Sequence, residues 1–475
     1  MLTFAIDWRV GGGEAWSFQL SNILLHAICV LVIFWVVRAR WSHGVAAACA
    51  ALFAVLALHT ENVAGIVARA DILATIFGLL TWHVAGKKGL KTPLWAGLLM
   101  LASLLSKEIG IAFLGLVVAE EVLGLRPENR DRRARLLVIA AMAVAVAIYL
   151  ALRISAIETV AAPVNPQSNP LVRADGADQQ LWTASANLTR TVRLFLVPAE
   201  LAADYSYAEI MPYPSPWSGD VLAGLGLWLL LPAAVLVFRR RAPGVSSGLL
   251  LFLAAYVPVS NLLLLVPTIF AERLLYLASL GLVLAGVLAA ARLWKQPRRR
   301  AALLAAVAVL VTAHSARSAF RAHDWRSARA LFSSAVEIAP GSARNWFNLG
   351  VADLDHDQPT EAIEHLQESL RILPNQAQAY SFIGVGLDQL DRPKDAHVEM
   401  YRATRIEPGC RLCAINLVNL YTKYGFFADA RSEIERYRKS SGNEPEALRM
   451  LTNLQAVEDR AKELGEKPRP RLFQR

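Results

Sequence analysis

Residues 57–77, "ALHTENVAGIVARADILATIF", set a histidine, a glutamate, an arginine and an aspartate in an otherwise apolar run. His59 and Glu61 could share a cation, but two donors do not define a metal site, so no metal is expected. Thr60 suits a helix N-cap, with the Glu61 carboxylate in the first turn. Arg69 and Asp71 are expected about 12 to 15 Å further down the same helix, at about 1.5 Å per residue. Two positions apart, their side chains diverge by about 200°, so each must find its own partner on another segment. Charged groups at that depth line a substrate cavity or pair between helices. Lys107 and Glu108 in "LLSKEIG", and Glu272, Arg273 and Tyr276 in "IFAERLLYLASLG", repeat the pattern. Glu272 and Tyr276 are expected on one helix face at i, i+4. His59, Glu61, Arg69, Asp71, Lys107, Glu108, Glu272, Arg273 and Tyr276 are the candidate binding set. A rim of Arg and Lys among carboxylates suits a phosphate, which Arg grips bidentately and Lys as a point charge.

The medium around these residues is lipid. The chain has 475 residues, 55% hydrophobic and 19% charged, and its apolar residues concentrate before Ser315. Of ten apolar segments most approach the roughly 20 residues that cross a bilayer, and several are short. They lie at about 17–37, 43–58, 62–85, 92–105, 108–124, 135–153, 219–238, 247–265, 272–292 and 300–315. No cleavable leader is expected ahead of them. Positive residues collect in alternate breaks: Arg38 and Arg40; Lys87, Lys88 and Lys91; Arg126, Arg130, Arg132, Arg133 and Arg135; Arg239–Arg241; then Arg292, Lys295 and Arg298–Arg300. The other breaks hold only Lys107, Arg173, Arg190 and Arg193, with Arg273 just inside the following helix. Basic loops stay cytoplasmic, so both termini and the candidate residues are expected on the extracytoplasmic side. The net charge of +10 therefore reflects topology, and no nucleic-acid partner is expected.

The segment 154–218 holds no full span. Arg190 and Arg193, three apart in "LWTASANLTRTVRLFLVP", suit a helix lying in the membrane interface. "AADYSY" and "MPYPSPW" form an aromatic, proline-stiffened loop of the kind that can cover a sugar site. Beyond Arg317 the pattern changes to a repeat. Pro340, Pro374 and Pro408 are 34 residues apart, as are Ala328, Ala362, Ala396 and Ala430; Gly350 with Gly384 and Trp346 with Tyr380 keep the same step. That is tetratricopeptide spacing, a stacked helical array that binds a partner or acceptor peptide. The chain thus reads as all-α: residues 1–316 a polytopic membrane bundle, 317–442 the repeats, 443–475 a helix and basic tail. Cys29 and Cys49 read as apolar filler. Cys410 and Cys413, in "CRLC", could form a disulfide outside the cytoplasm. Asn187 opens an "NLT" sequon, relevant in a eukaryotic source. Richness in Ala and Arg points to a bacterial inner membrane.

"LHTENVAGIVARADILATIF", "LLSKEIGIAFL", "LTRTVRLFLVPAELAADYS" and "VSNLLLLVPTIFAERLLYLASLG", in this order ahead of the repeats, resemble the transmembrane and tetratricopeptide-repeat O-mannosyltransferase-like proteins, a group within the GT-C class of membrane glycosyltransferases. The resemblance implies transfer of a sugar, usually mannose, from a polyprenyl-phosphate carrier to a protein Ser or Thr on the extracytoplasmic side. A carboxylate would take the acceptor's proton while cations steady the leaving phosphate. Arg273, Lys107 and Arg69 are expected near the phosphate, and Glu61, Asp71 and Glu272 at positioning roles. The family places a further span and an acidic catalytic loop ahead of a stretch matching "LTFAIDWRVGGGEAWSFQLSNILLHA", which here begins at Met1. The expectation is a misassigned start, a fragment or an inactive paralogue, with no catalytic base assigned and Asp7 a solvated loop residue. Two other readings stand beside it: an oligosaccharide ligase, disfavoured by the lack of a long His-bearing loop between late spans, and a non-catalytic membrane-anchored repeat scaffold.

Overall fold

Long runs of Leu, Val, Ala and Ile without internal polar groups must satisfy every backbone hydrogen bond within the segment, and in lipid the helix does so. The computed structural model describes residues 2–125, 131–157, 164–293, 297–464 and 469, and helix is the regular structure throughout them. Arg126, Arg130 and Lys295, used above for orientation, lie outside the described residues, as does most of the expected basic tail. The chain divides into two compact units, Met1–Arg326 and Ser327–Arg475.

The first unit comprises α1 (Leu2–Gly11), α2 (Ala15–Arg38), α3 (His43–Val55), α4 (Thr60–Ala64), α5 (Arg69–Ala85), α6 (Thr92–Ser106), α7 (Ile111–Val122), α8 (Arg132–Ile157), α9 (Ala177–Leu196), α10 (Gly219–Arg241), α11 (Pro243–Tyr256), α12 (Tyr276–Leu293) and α13 (Pro297–Asp324). Among the described residues six helical segments are long and apolar enough to cross a membrane: α2, Ile66–Ala85, most of α8, α10, Glu272–Arg292 and Ala301–Asp324. A seventh is possible if α3 and the bent turn after it form one broken span. Ten spans were expected. The segments at 92–105 and 247–265 are shorter apolar helices, the second giving way to a 3₁₀ turn at Val257–Val259, and α7 has only 12 residues, because residues 108–110 form a 3₁₀ turn before it. The last span does not stop near 315; its helix runs on to Asp324. Ile66–Ala85 and Glu272–Arg292 are two-thirds buried, so α5 and α12 form the centre, whereas α2, α8 and α10 show Leu31, Leu150 and Leu229 outward, as lipid requires.

The second unit pairs α14 (Ala328–Ile338), α15 (Ala343–Leu354) with α16 (Pro359–Ile372), α17 (Ala377–Gln389) with α18 (Pro393–Ile406), α19 (Arg411–Lys423) with α20 (Phe427–Ser441), and ends in α21 (Glu444–Glu463). The 34-residue step has a steric origin. A Cβ on Gly350 would meet the Ala362 carbonyl at 2.9 Å, and one on Gly384 the Ala396 carbonyl at 2.9 Å, so glycine and alanine let each pair of helices cross closely. Each proline follows the second helix by two residues, and its carbonyl takes a bond from the aromatic at the repeated position: Trp346 Nε1 to Pro340 at 2.8 Å, Tyr380 hydroxyl to Pro374 at 3.2 Å. The same step recurs in the turns, where Asp357, Asp391 and Gly425 all adopt positive φ. Cys410 caps α19 and is disulfide-bonded to Cys413.

Gly384→Val should therefore cost about 1–3 kcal/mol by forcing α17 off α18. Faster amide exchange in those two helices, with exchange in α12 unchanged, is the expected readout.

Candidate functional site

The polar residues converge where α2, α5 and α12 begin and α6 ends. The helix expected across 62–85 breaks at Gly65, whose backbone is extended and whose carbonyl accepts from Asn22 Nδ2 at 3.0 Å. A Cβ there would lie 2.5 Å from the Glu61 carbonyl, which only glycine avoids. After one 3₁₀ turn, Ile66–Ala68, the chain restarts as α5 at Arg69. Arg69 and Asp71 thus occupy the first turn of a new helix and do not lie 12 to 15 Å down an old one. Nor does Thr60 cap α4: its hydroxyl donates to the Ala57 carbonyl at 2.9 Å, and His59 holds the cap position.

Each of the two charges has its own partner. Arg69, 1% exposed, is ion-paired to Asp7 of α1, donates Nε to Asn22 Oδ1 at 2.9 Å and Nη2 to the Phe18 carbonyl at 3.1 Å, and packs 4.3 Å from the Phe4 ring. Asp7 is therefore no solvated loop residue. It is buried on a helix and also accepts from Ser21 at 2.7 Å, because the Arg69 guanidinium needs a counter-charge inside the bundle. Asp71 faces the other way and receives Lys107 Nζ at 2.7 Å. Lys107 reaches it because α6 ends there in extended backbone.

A third pair joins Glu61 to Arg273. Glu61 Oε1 accepts from Arg273 Nη1 at 2.5 Å and Oε2 from the Arg273 backbone N–H at 2.9 Å. Asn62 ties this pair to the previous one, its Nδ2 lying 3.1 Å from the Arg273 carbonyl and 3.4 Å from Asp71 Oδ2. The carboxylates are buried. The cations protrude, with Lys107 22% and Arg273 38% exposed. Both cations keep donors that their carboxylates do not use.

Glu272 and Tyr276 do not act together. Residues 272–275 form a four-residue 3₁₀ helix, which makes a turn about every three residues, so i and i+4 do not align. Glu272, 1% exposed, accepts from the Tyr205 hydroxyl at 2.7 Å and the Ala202 N–H at 2.8 Å. Burial and the Glu272 charge raise the Tyr205 phenol well above its ordinary value, so it stays a donor. The aromatic loop is thereby pinned to the start of α12, and Arg317 of α13 holds its Pro198 and Ala199 carbonyls at 3.0 and 3.1 Å. Tyr276 instead meets His26 Nδ1 at 2.7 Å, while His59 Nε2 meets Ser279 at 2.9 Å, the two imidazoles 5.7 Å apart. A cavity of about 380 Å³ opens beside them, floored by Ile23, Leu56 and Val63 and edged by Trp325.

Lys107 lies at a separate cleft of about 410 Å³, walled by Leu104, Leu105 and Leu152, with Arg153 and Tyr149 at its edge. Glu108 borders this cleft but is exposed and stays outside the ion-pair cluster. Among the described residues no three His, Cys, Asp or Glu side chains could hold a metal. The Asn187 sequon is buried in α9, its amide donating to the Ile269 carbonyl at 3.2 Å. Sequence reasoning missed Asn22, Asn62, His26 and Arg153, and marked Tyr205 only as part of the aromatic loop. Asn22 and His26, four apart on one face of a helix otherwise rich in Leu and Ile, were the visible signal; Asn62 sits inside the motif and was passed over.

Arg69→Met should cost about 3–5 kcal/mol, since it strands Asp7 in the bundle interior. Adding Asp7→Asn should recover part of that loss. Thermal denaturation of the purified single and double variants checks both.

A tetratricopeptide-repeat family model matches residues 319–384. Over 443 residues the chain is 24% identical to protein O-mannosyl-transferase TMTC3 of Mus musculus, covering 86% of this chain and 48% of that protein. It is 27% identical over 418 residues to protein O-mannosyl-transferase TMTC4 of Homo sapiens, covering 77% and 56%. With protein O-mannosyl-transferase Tmtc1 of Drosophila melanogaster the identity is 26% over 477 residues, covering 80% and 54%. The chain spans about half the length of the curated relatives it matches. It is similar over most of its own length to several protein O-mannosyl-transferases, and it carries a tetratricopeptide-repeat match of its own.

Proposed function

We propose that the protein is a membrane glycosyltransferase that moves a sugar, mannose by the relatives' names, from a polyprenyl-phosphate carrier to protein Ser or Thr on the extracytoplasmic side. The observation that carries this reading is the pair of bridged ion pairs. Glu61 and Asp71 brace two cations that emerge at the same end of the helices, and Asn62 ties the pairs together by donating to Asp71 and to the Arg273 carbonyl. Lys107 does so beside a leucine-walled cleft, where an apolar chain could lie with its phosphate at the ammonium.

In this reading the acceptor hydroxyl attacks the anomeric carbon, its proton passes to a carboxylate base other than Asp7, Glu61 and Asp71, and the carrier phosphate departs with the bonding electrons. Arg273 and Lys107 meet the charge that develops on the phosphate oxygens. Asp7, Glu61 and Asp71 are each committed to a cation, so their part is to position it. Arg69, fully enclosed, braces α1 and α2 and does not touch the carrier. The tetratricopeptide array binds the acceptor protein or a partner.

Transfer of radiolabelled mannose from polyprenyl-phosphate-mannose to membrane proteins tests this. Membranes containing the protein should incorporate label. Arg273→Ala and Lys107→Ala should each lower the rate about 10²- to 10³-fold, with protein level in the membrane maintained. Label retained by Arg273→Ala would remove that residue from the site. Absence of transfer by the unaltered protein would remove the reading itself.

A further inference from the structure

The opposite end of the same helices holds a second polar cavity. From Arg69, α5 runs 17 residues to Ala85, about 25 Å, and past its end a cavity of about 450 Å³ opens between the ends of α2, α5 and α7 and the start of α11. Its walls are aromatic and its mouth is basic. Arg40 sits over the Trp82 indole, its guanidinium carbon 3.9 Å from the ring centre, and donates to the Trp82 carbonyl at 2.7 Å. Trp82 is fixed in turn, since its Nε1 donates to Glu120 Oε2 at 3.0 Å, and Trp41 lies 6.3 Å from it. Arg135 is paired with Glu121 at 2.7 Å. Lys87 and Lys88, on the turn after α5, are exposed at the mouth and have no ion-pair partner among the described residues.

Two further features favour an anion here. Pro243 opens the 14-residue α11 at this cavity, so the positive end of that helix dipole adds to the lysines. Gly244 in its first turn lies so close to Trp41 that a Cβ would stand 2.9 Å from the indole nitrogen, which keeps the wall backbone-thin. An adjoining cavity of about 300 Å³ indicates where the anion comes from. Lys88 lines both, and the second is walled by Leu90, Pro93, Leu137 and Val138, with Asp131 as its carboxylate. Leu90 is fully exposed and Leu94 59% exposed beside it, so an apolar track leads away from the lysines along the outside of α6.

We propose that this is a phosphate site for an anionic membrane lipid. The headgroup phosphate sits between Lys87, Lys88 and the Arg40–Trp82 shelf, and an acyl chain follows the Leu90 track. Basic pockets between membrane helices bind anionic headgroups in this way, and tryptophan favours headgroup depth. The site needs none of the transfer chemistry proposed above, so either can fail alone.

The test uses the purified full-length protein in a neutral detergent, with bound lipid counted by native mass spectrometry. The probes are phosphatidylglycerol, phosphatidylcholine and inorganic phosphate. Phosphatidylglycerol should bind at least about tenfold more tightly than phosphatidylcholine, and Lys87→Ala/Lys88→Ala should remove that preference. Lys87→Arg/Lys88→Arg should retain it. Arg239→Ala/Arg240→Ala/Arg241→Ala, which removes more charge at a basic break outside the cavity, should leave it within about twofold. Equal loss in the lysine and arginine sets, or no loss in the lysine pair, would overturn the site. Complete displacement of the lipid by millimolar inorganic phosphate would assign the pocket to a soluble phosphate compound and overturn the lipid assignment.

Discussion

An arginine and an aspartate two residues apart at the start of a buried helix cannot neutralise each other, and the membrane unit is organised around that constraint. Taking either charge out of water costs more than one hydrogen bond returns, so each must meet an opposite charge at close range. Arg69 draws α1 and α2 onto α5 through Asp7, Asn22 and the Phe18 carbonyl. Asp71 draws the end of α6 onto the other side through Lys107. Asn62 then fixes the start of α12 to the same point. Five helices, α1, α2, α5, α6 and α12, are thereby held at one end of the bundle, and the break at Gly65 makes it possible by turning the chain before α5 begins.

The consequence is an asymmetry between carboxylates and cations. Asp7, Glu61 and Asp71 are enclosed, whereas Lys107 and Arg273 extend past them towards solvent. A cation held by a buried carboxylate loses little further entropy when it meets an anion, because its geometry is already set. The cluster is close to charge-neutral as it stands, so it would attract a phosphate through oriented donors more than through net charge. That separates it from the far end, where unpaired lysines stand beside an apolar wall.

What could be read from the sequence followed from periodicity and from the price of charge in lipid. The divergence of Arg69 and Asp71 required two partners, and two are present. The identities of those partners were not legible, since Asp7 and Lys107 come from segments whose distance in space no local pattern encodes. The short helices were also hidden. A hydropathy window runs across Gly65 and Val257–Val259 without notice, because the residues on both sides are apolar and only the backbone changes direction. Glu272 and Tyr276 diverged for a related reason, a 3₁₀ turn where a regular helix was assumed.

The repeats show the opposite case, in which one steric rule recurs and so can be read. Glycine on alanine at each crossing and an aromatic on each proline carbonyl leave a mark every 34 residues. Asp357, Asp391 and Gly425 leave an equally regular mark that composition conceals, because aspartate and glycine reach positive φ by different means: one through its short polar side chain, the other by lacking a side chain. Where the third unit has Ala414 at the aromatic position, Arg436 supplies the bond to the Pro408 carbonyl at 3.0 Å instead. The requirement at that place is therefore a donor for an exposed carbonyl and not an aromatic ring. Trp346 and Tyr380 supply that donor from the first helix of their units, whereas Arg436 supplies it from the second helix of its own.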